Sequence, residues 1–132
     1  MPRLTGILET SLYVEDLERS ENFYRALFDF PVMVSLDRMR ALEAPNSQVL
    51  LLFKKKGSLV GTPGGAHDGE GRLHMAFAIP AEDFDAWESR LKQLGIAITE
   101  IVKWDRGGRS LYFRDPDGHL IELATPGIWA NY

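Results

Sequence analysis

The stretch Arg109–Gly127, RSLYFRDPDGHLIELATPG, decides the fold. It reads as two antiparallel strands joined by a tight turn at Asp115-Pro116-Asp117-Gly118. Pro116 pre-sets φ at the second turn position, the aspartates can accept from nearby backbone amides, and Gly118 tolerates positive φ. In the second strand, His119–Ala124, strict alternation puts Leu120, Glu122 and Ala124 on one face and Ile121 and Leu123 on the other. Glu122 is therefore a carboxylate inside an apolar run. A charge so placed is solvated or bound to something.

Working outward, these strands close the second of two similar halves. Leu73–Ile79 reads as a strand, with His74, Ala76 and Ala78 on one face and Leu73, Met75, Phe77 and Ile79 on the other. A helix is expected over Ala81–Leu94, with an apolar stripe at Phe84, Trp87, Leu91 and Leu94 and an ion pair between Glu88 and Lys92. Gly95 suits the position just past its end. Strands follow near Ile96–Trp104 and at Arg109–Arg114, with Gly107-Gly108 as the turn. The first half repeats the order. Ile7–Val14 is a strand, Asp16 an N-cap, and Leu17, Ser20, Phe23, Tyr24, Leu27 and Phe28 a helical stripe ended by Pro31. Strands at Val32–Leu36, Arg38–Glu43 and Gln48–Phe53 complete it. The expected fold is thus α+β, with two βαβββ modules at residues 7–57 and 72–127. Between them Lys54–Arg72 carries six glycines and Pro63, and is expected to be a flexible connection or lid.

At 132 residues the chain is one domain by length. A formal charge of −4 leaves no basic surplus for nucleic acid. The absence of cysteine excludes disulfides, thiolate metal sites and cysteine nucleophiles. No signal-peptide or membrane-spanning pattern occurs, so a cytoplasmic protein without a membrane partner is expected.

Superposing the halves makes Glu9 equivalent to His74 and Leu51 equivalent to Glu122. Three of these four positions carry metal-ligand side chains. Singly, Glu9 reads as a solvated strand residue, His74 as a hydrogen-bonded core histidine and Glu122 as a surface or arginine-paired acid. Jointly they favour a metal. Their neighbours Ser11, Ala76, Ala78 and Ala124 are small enough to leave a cavity, while the opposite faces are bulky. One imidazole and two carboxylates resemble a facial triad with open positions rather than a closed structural zinc site. Mn²⁺, Fe²⁺, Ni²⁺, Co²⁺ and Zn²⁺ all suit such donors.

The segments LYVEDLERSENFYRALFDF, RLHMAFAIPAEDFDAW and YFRDPDGHLIELATP resemble the vicinal oxygen chelate superfamily. That group includes glyoxalase I, fosfomycin-resistance proteins, extradiol dioxygenases, methylmalonyl-CoA epimerase and bleomycin-resistance proteins. The resemblance runs from Ile7 to Gly127. It implies a curved mixed sheet around a metal cleft, helices on the outer face, and a homodimer, often with modules paired across subunits. It also implies ligands on the first and last strands of each module, here Glu9, His74 and Glu122. Leu51 has no donor atom, so the four-ligand set of glyoxalase I is incomplete. Glu9 stands where fosfomycin-resistance proteins and extradiol dioxygenases have histidine. Ser11, Ser110 and Tyr112 match substrate-lining positions of the fosfomycin-resistance proteins, and Trp104, Tyr112 and Trp129 suit a cleft wall.

Three functions follow from this resemblance. The first is a glyoxalase-like lyase or isomerase, with Glu122 or Glu9 as the proton shuttle. The second is an extradiol-type dioxygenase, for which His67 is the only loop histidine available as an acid or base, although a solvated loop role suits it better. The third is a metal-free binder of the bleomycin-resistance kind. His119 is expected to be structural or surface, and Trp129 and Tyr132 to cover a sheet edge or dimer surface.

Overall fold

A computed structural model describes residues 1–132. The chain divides into two compact units, Met1–Glu70 and Gly71–Tyr132.

The first unit contains β1 (Glu9–Val14), α1 (Leu17–Phe28), β2 (Val32–Leu36), β3 (Met39–Ala44) and β4 (Gln48–Lys54). The strands form one sheet in the order β1-β4-β3-β2, with β1 parallel to β4 and the other pairs antiparallel. Asp16 caps α1 by accepting from the Arg19 amide at 3.0 Å. The helix stops at Asp29, whose φ of 58° is left-handed, two residues before Pro31. Leu17, Ser20, Tyr24 and Leu27 bury its inner stripe. Leu12, Val14, Leu42, Leu50 and Leu52 supply the buried sheet face. Glu21 pairs with Arg25 one helical turn on, and also with Arg40 on β3 at 2.8 Å, which ties helix to sheet. The first strand begins at Glu9 rather than Ile7. Ile7 and Leu8 lie before the paired residues and are exposed.

The segment after β4 departs from expectation. It has no helix or strand, but it is packed rather than loose. Tyr13 Oη lies 2.7 Å from His67 Nδ1, and the His67 ring meets Phe53 edge-on. Arg38 donates to Ser58, which is buried, and the Lys56 amide donates to Asp68. Gly69 lies so close to Tyr13 that a Cβ there would fall 2.3 Å from the ring. His67 is thus neither solvated nor free. It holds the segment against Tyr13 and Phe53.

The second unit contains β5 (His74–Ala78), a 3-10 turn at Ala81–Asp83, α2 (Phe84–Gln93), β6 (Ile98–Lys103), β7 (Arg109–Arg114) and β8 (Leu120–Ala124). Its sheet order is β5-β8-β7-β6, again with the first pair parallel and the rest antiparallel. Register shifts interrupt β2 against β3 at Val32/Val34 and β6 against β7 at Ile98/Glu100, the same place in each module. The decisive turn forms as its residues require. Asp115 Oδ1 accepts from the amides of Asp117 and His119, and Gly118 has φ 81°. His119 is fully buried, and its Nδ1 accepts from the Leu73 amide, so it is structural. Phe84 and Leu91 are core, but Leu94 is exposed. Leu94 is the helix C-cap, where the chain turns off the helical path into Gly95 at φ 70°. The first turn expected in α2, Ala81–Asp83, is 3-10 instead, and neither Pro80 before it nor Asp83 at its end supplies a side-chain cap. Tyr132 donates to the Ala124 carbonyl at 2.9 Å and closes the end of β8.

Candidate metal and substrate site

Sheet register makes the two modules equivalent position by position. In the second unit Ala76 pairs with Glu122 and His74 with Leu120. In the first, Ser11 pairs with Leu51 and Glu9 with Val49. Glu9 therefore matches His74, and Leu51 matches Glu122. Tyr112, opposite Glu122 on β7, has Ala41, opposite Leu51 on β3, as its counterpart.

The matched faces have diverged. In the first unit Leu51, Ala41 and Phe53 are buried with Tyr13, Met39 and Val49 packed against them. Leu51 fills this face with hydrocarbon and has nothing to offer a cation. In the second unit the face is polar at its centre. Glu122 is 8% exposed, and its Oε1 accepts from Ser110 at 2.6 Å. The Ser110 oxygen accepts in turn from the Trp104 indole N–H at 2.8 Å. A carboxylate this buried must have its lone pairs engaged. Glu122 Oε2 faces His74 Nε2 at 3.3 Å.

His74 is oriented from behind. Its Nδ1 lies 2.9 Å from the Leu120 carbonyl. A carbonyl can only accept, so Nδ1 carries a hydrogen and Nε2 is the ring atom turned to Glu122. Between that nitrogen and a carboxylate oxygen there is room for a proton or for a cation bound by both. Two ligands of one first-row ion, each about 2.1 Å away at right angles, stand about 3 Å apart. A carbonyl behind the distal nitrogen is also the usual support of a metal-bound histidine. The pair fits a divalent ion. Within neither unit do three His, Asp or Glu side chains converge as a set that could hold one. Glu9 is on β1 of the first unit.

Beside this pair the second unit has a cavity of about 290 Å³ lined by His74, Ala76, Trp104, Tyr112, Glu122, Ala124, Ile128 and Trp129. Small Ala76 and Ala124 make the space, and the aromatic rings wall it. A larger groove, about 400 Å³, lies on the first unit among Glu15, Asp16, Glu18, Asp37, Arg40 and Lys54, but it holds no imidazole. The Tyr112 hydroxyl is raised above the ordinary tyrosine pKa, by burial first and then by the neighbouring Glu122, so it stays a donor. Of the residues expected to meet substrate, Trp104 and Tyr112 line the cavity. Ser110 is fully buried and meets the cavity through its hydrogen bonds with two lining residues, Glu122 and Trp104. Ser11 lies on β1 of the first unit. Ile128 carried no signal in the sequence, because it sits past the last strand with no periodicity to place it.

The family model for the Glyoxalase/Bleomycin resistance protein/Dioxygenase superfamily matches residues 6–123. The chain belongs to this superfamily. It is 31% identical to a metallothiol transferase FosB of Bacillus licheniformis, over 96% of this chain and 79% of that protein. It is 30% identical to a catechol-2,3-dioxygenase of Bacillus subtilis, over 90% of this chain but 41% of the relative. A solved lactoylglutathione lyase from Agrobacterium tumefaciens superposes with a TM-score of 0.91 at 29% identity, covering 98% of this chain and 99% of the other. The superfamily match spans both modules and ends within β8, one residue after Glu122. No helix is long and apolar enough to cross a membrane.

Proposed function

We propose that this protein is a divalent-metal-dependent enzyme acting on a small oxygenated molecule, with glyoxalase-like lyase or isomerase chemistry. The observation that carries the reading is the confrontation of His74 Nε2 and Glu122 Oε2 at 3.3 Å, with the histidine oriented from behind by Leu120. Glu9 is assigned as the third ligand because its register position matches that of His74. The working assembly is a homodimer, and Glu9 comes from the same chain or the partner. Mn²⁺, Fe²⁺, Ni²⁺, Co²⁺ and Zn²⁺ all suit one imidazole and two carboxylates. The ion supplies a Lewis acid for two neighbouring substrate oxygens.

The chain's own residues do the rest. Glu122 or Glu9, once displaced from the metal and so restored in basicity, would accept a proton from the carbon bearing the polarised oxygen and return it to the adjacent carbon. Tyr112, held protonated, donates to a substrate oxygen. The rings of Trp104 and Trp129 exclude water from one side of the cavity. The high superposition with a lactoylglutathione lyase supports this reading. A second reading, ring-opening oxygenation of a catechol, draws on the indole and phenol walls and on the dioxygenase relative.

Elemental analysis of untagged protein purified without chelator tests the proposal. About one equivalent of transition metal per chain is expected, and Glu122→Ala should lose it. The loaded protein is then assayed with adducts of 2-oxoaldehydes and thiols, with catechols, and with fosfomycin plus a thiol. Lack of metal, with no uptake of any of the five ions, would overturn both enzyme readings in favour of metal-free ligand binding.

A further inference from the structure

The carboxylate of Glu122 does not stand alone. Trp104 Nε1 is a donor only, so at 2.8 Å it must give its hydrogen to Ser110 Oγ. The serine's own hydrogen is left for an acceptor, and Glu122 Oε1 is there at 2.6 Å. Direction is thereby fixed along the whole run, from indole to hydroxyl to carboxylate. Ser110 is fully buried, so water does not compete for its hydroxyl. Ser110 and Trp104 are held from opposite ends of the β6–β7 turn. The Trp104 amide bonds to the Gly108 carbonyl, and the Gly108 amide bonds to the Gly127 carbonyl. The space there is closed, since a Cβ on Gly108 would fall 2.7 Å from Gly127.

We propose that Ser110, oriented by Trp104, is a positioning residue that occupies one oxygen of Glu122 and leaves only the other for the metal. The serine and the indole were candidates for touching substrate. Their hydrogens are instead committed to one another and to the carboxylate. This inference rests on the metal reading above. It predicts that Ser110 governs how Glu122 presents itself, without contact with metal or substrate. Supporting groups of this kind commonly change metal affinity by about 10- to 100-fold.

Metal-free wild type, Ser110→Ala, Ser110→Thr and Trp104→Phe are titrated with Mn²⁺ by calorimetry, and the Co²⁺ forms are compared by visible absorption. Circular dichroism checks folding. Ser110→Ala should bind Mn²⁺ about tenfold more weakly. Its Co²⁺ bands should also shift and weaken, because the freed carboxylate oxygen raises the coordination number. Ser110→Thr retains the hydroxyl and should restore both. Trp104→Phe should move both readouts in the same direction by less, and it carries the test if Ser110→Ala does not fold. Wild-type affinity and an unchanged Co²⁺ spectrum in the folded variants would overturn the positioning role while leaving the metal reading intact. A wild type that takes up neither ion would overturn the metal reading and this inference together. A Ser110→Ala loss that threonine fails to rescue would also overturn it, as a packing effect.

Discussion

Glu122 is the residue on which the proposed chemistry turns. Its own strand places it on a face with Ala124, and β5 brings Ala76 directly opposite. It is buried, and its two oxygens face different partners, Ser110 and His74. Glu122→Gln keeps the shape and removes the charge, so metal uptake should fall by at least tenfold while the far-ultraviolet spectrum stays unchanged. Tyr112 makes a separate prediction. Burial raises the pKa of Tyr112, as it does those of Tyr13 and Tyr132, so the folded state binds these protons more tightly than the unfolded chain. The resulting stabilisation is fully present below the ordinary tyrosine value near 10 and is lost as pH rises through the folded values. Melting temperature should therefore decline above about pH 10, in step with tyrosinate absorbance at 295 nm. Tyr112→Phe should remove part of that decline.

Among the elements, the two helices differ in how they start. Asp16 caps α1 by accepting from the Arg19 amide, whereas α2 enters through a 3-10 turn without a side-chain cap. Asp16→Ala should cost about 1 kcal/mol by chemical denaturation, and Asp83→Ala much less. The segment between β4 and β5 is the element most misread from composition. Glycine content suggested looseness, yet Tyr13, Phe53 and His67 clamp it onto the first sheet. Gly69→Ala forces a Cβ into the Tyr13 ring. It should speed amide exchange across residues 58–70 by at least tenfold while leaving exchange in β1 to β4 unchanged. Uniform exchange rates before and after the substitution would show that the clamp contributes nothing.

For the molecule as a whole, duplication explains both the symmetry and its failure. Each module builds the same sheet with the same order and the same register shift, yet the first has filled its central face with Leu51 and Phe53. The second has kept a carboxylate, an imidazole and a cavity. Burying a leucine side chain stabilises by about 1.5–3 kcal/mol, so the first face contributes to folding, whereas the second holds the groups proposed to bind metal and substrate. On the proposed metal reading the ion binds the folded protein alone, so Mn²⁺ at about 100 times its dissociation constant should add about 2.7 kcal/mol of stability. Chelator should reverse that gain, and Glu122→Ala should show none. Sedimentation of the loaded protein should give the mass of a dimer.

The sequence alone determined the modules, the turn at Asp115–Gly118, the capping of α1 and the equivalence of the Glu9 and His74 positions. These follow from local periodicity and from side chains that act on their own backbone. It also exposed Glu122, because alternation assigns faces without reference to anything distant. Only the tertiary structure decided which partner each polar atom takes. The hydrogen bond of Ser110 with Glu122 spans two strands, that of His67 with Tyr13 spans 54 residues, and Leu94 left the core because the chain turned beneath it. Such contacts depend on where the backbone returns in space, which no single window of sequence encodes.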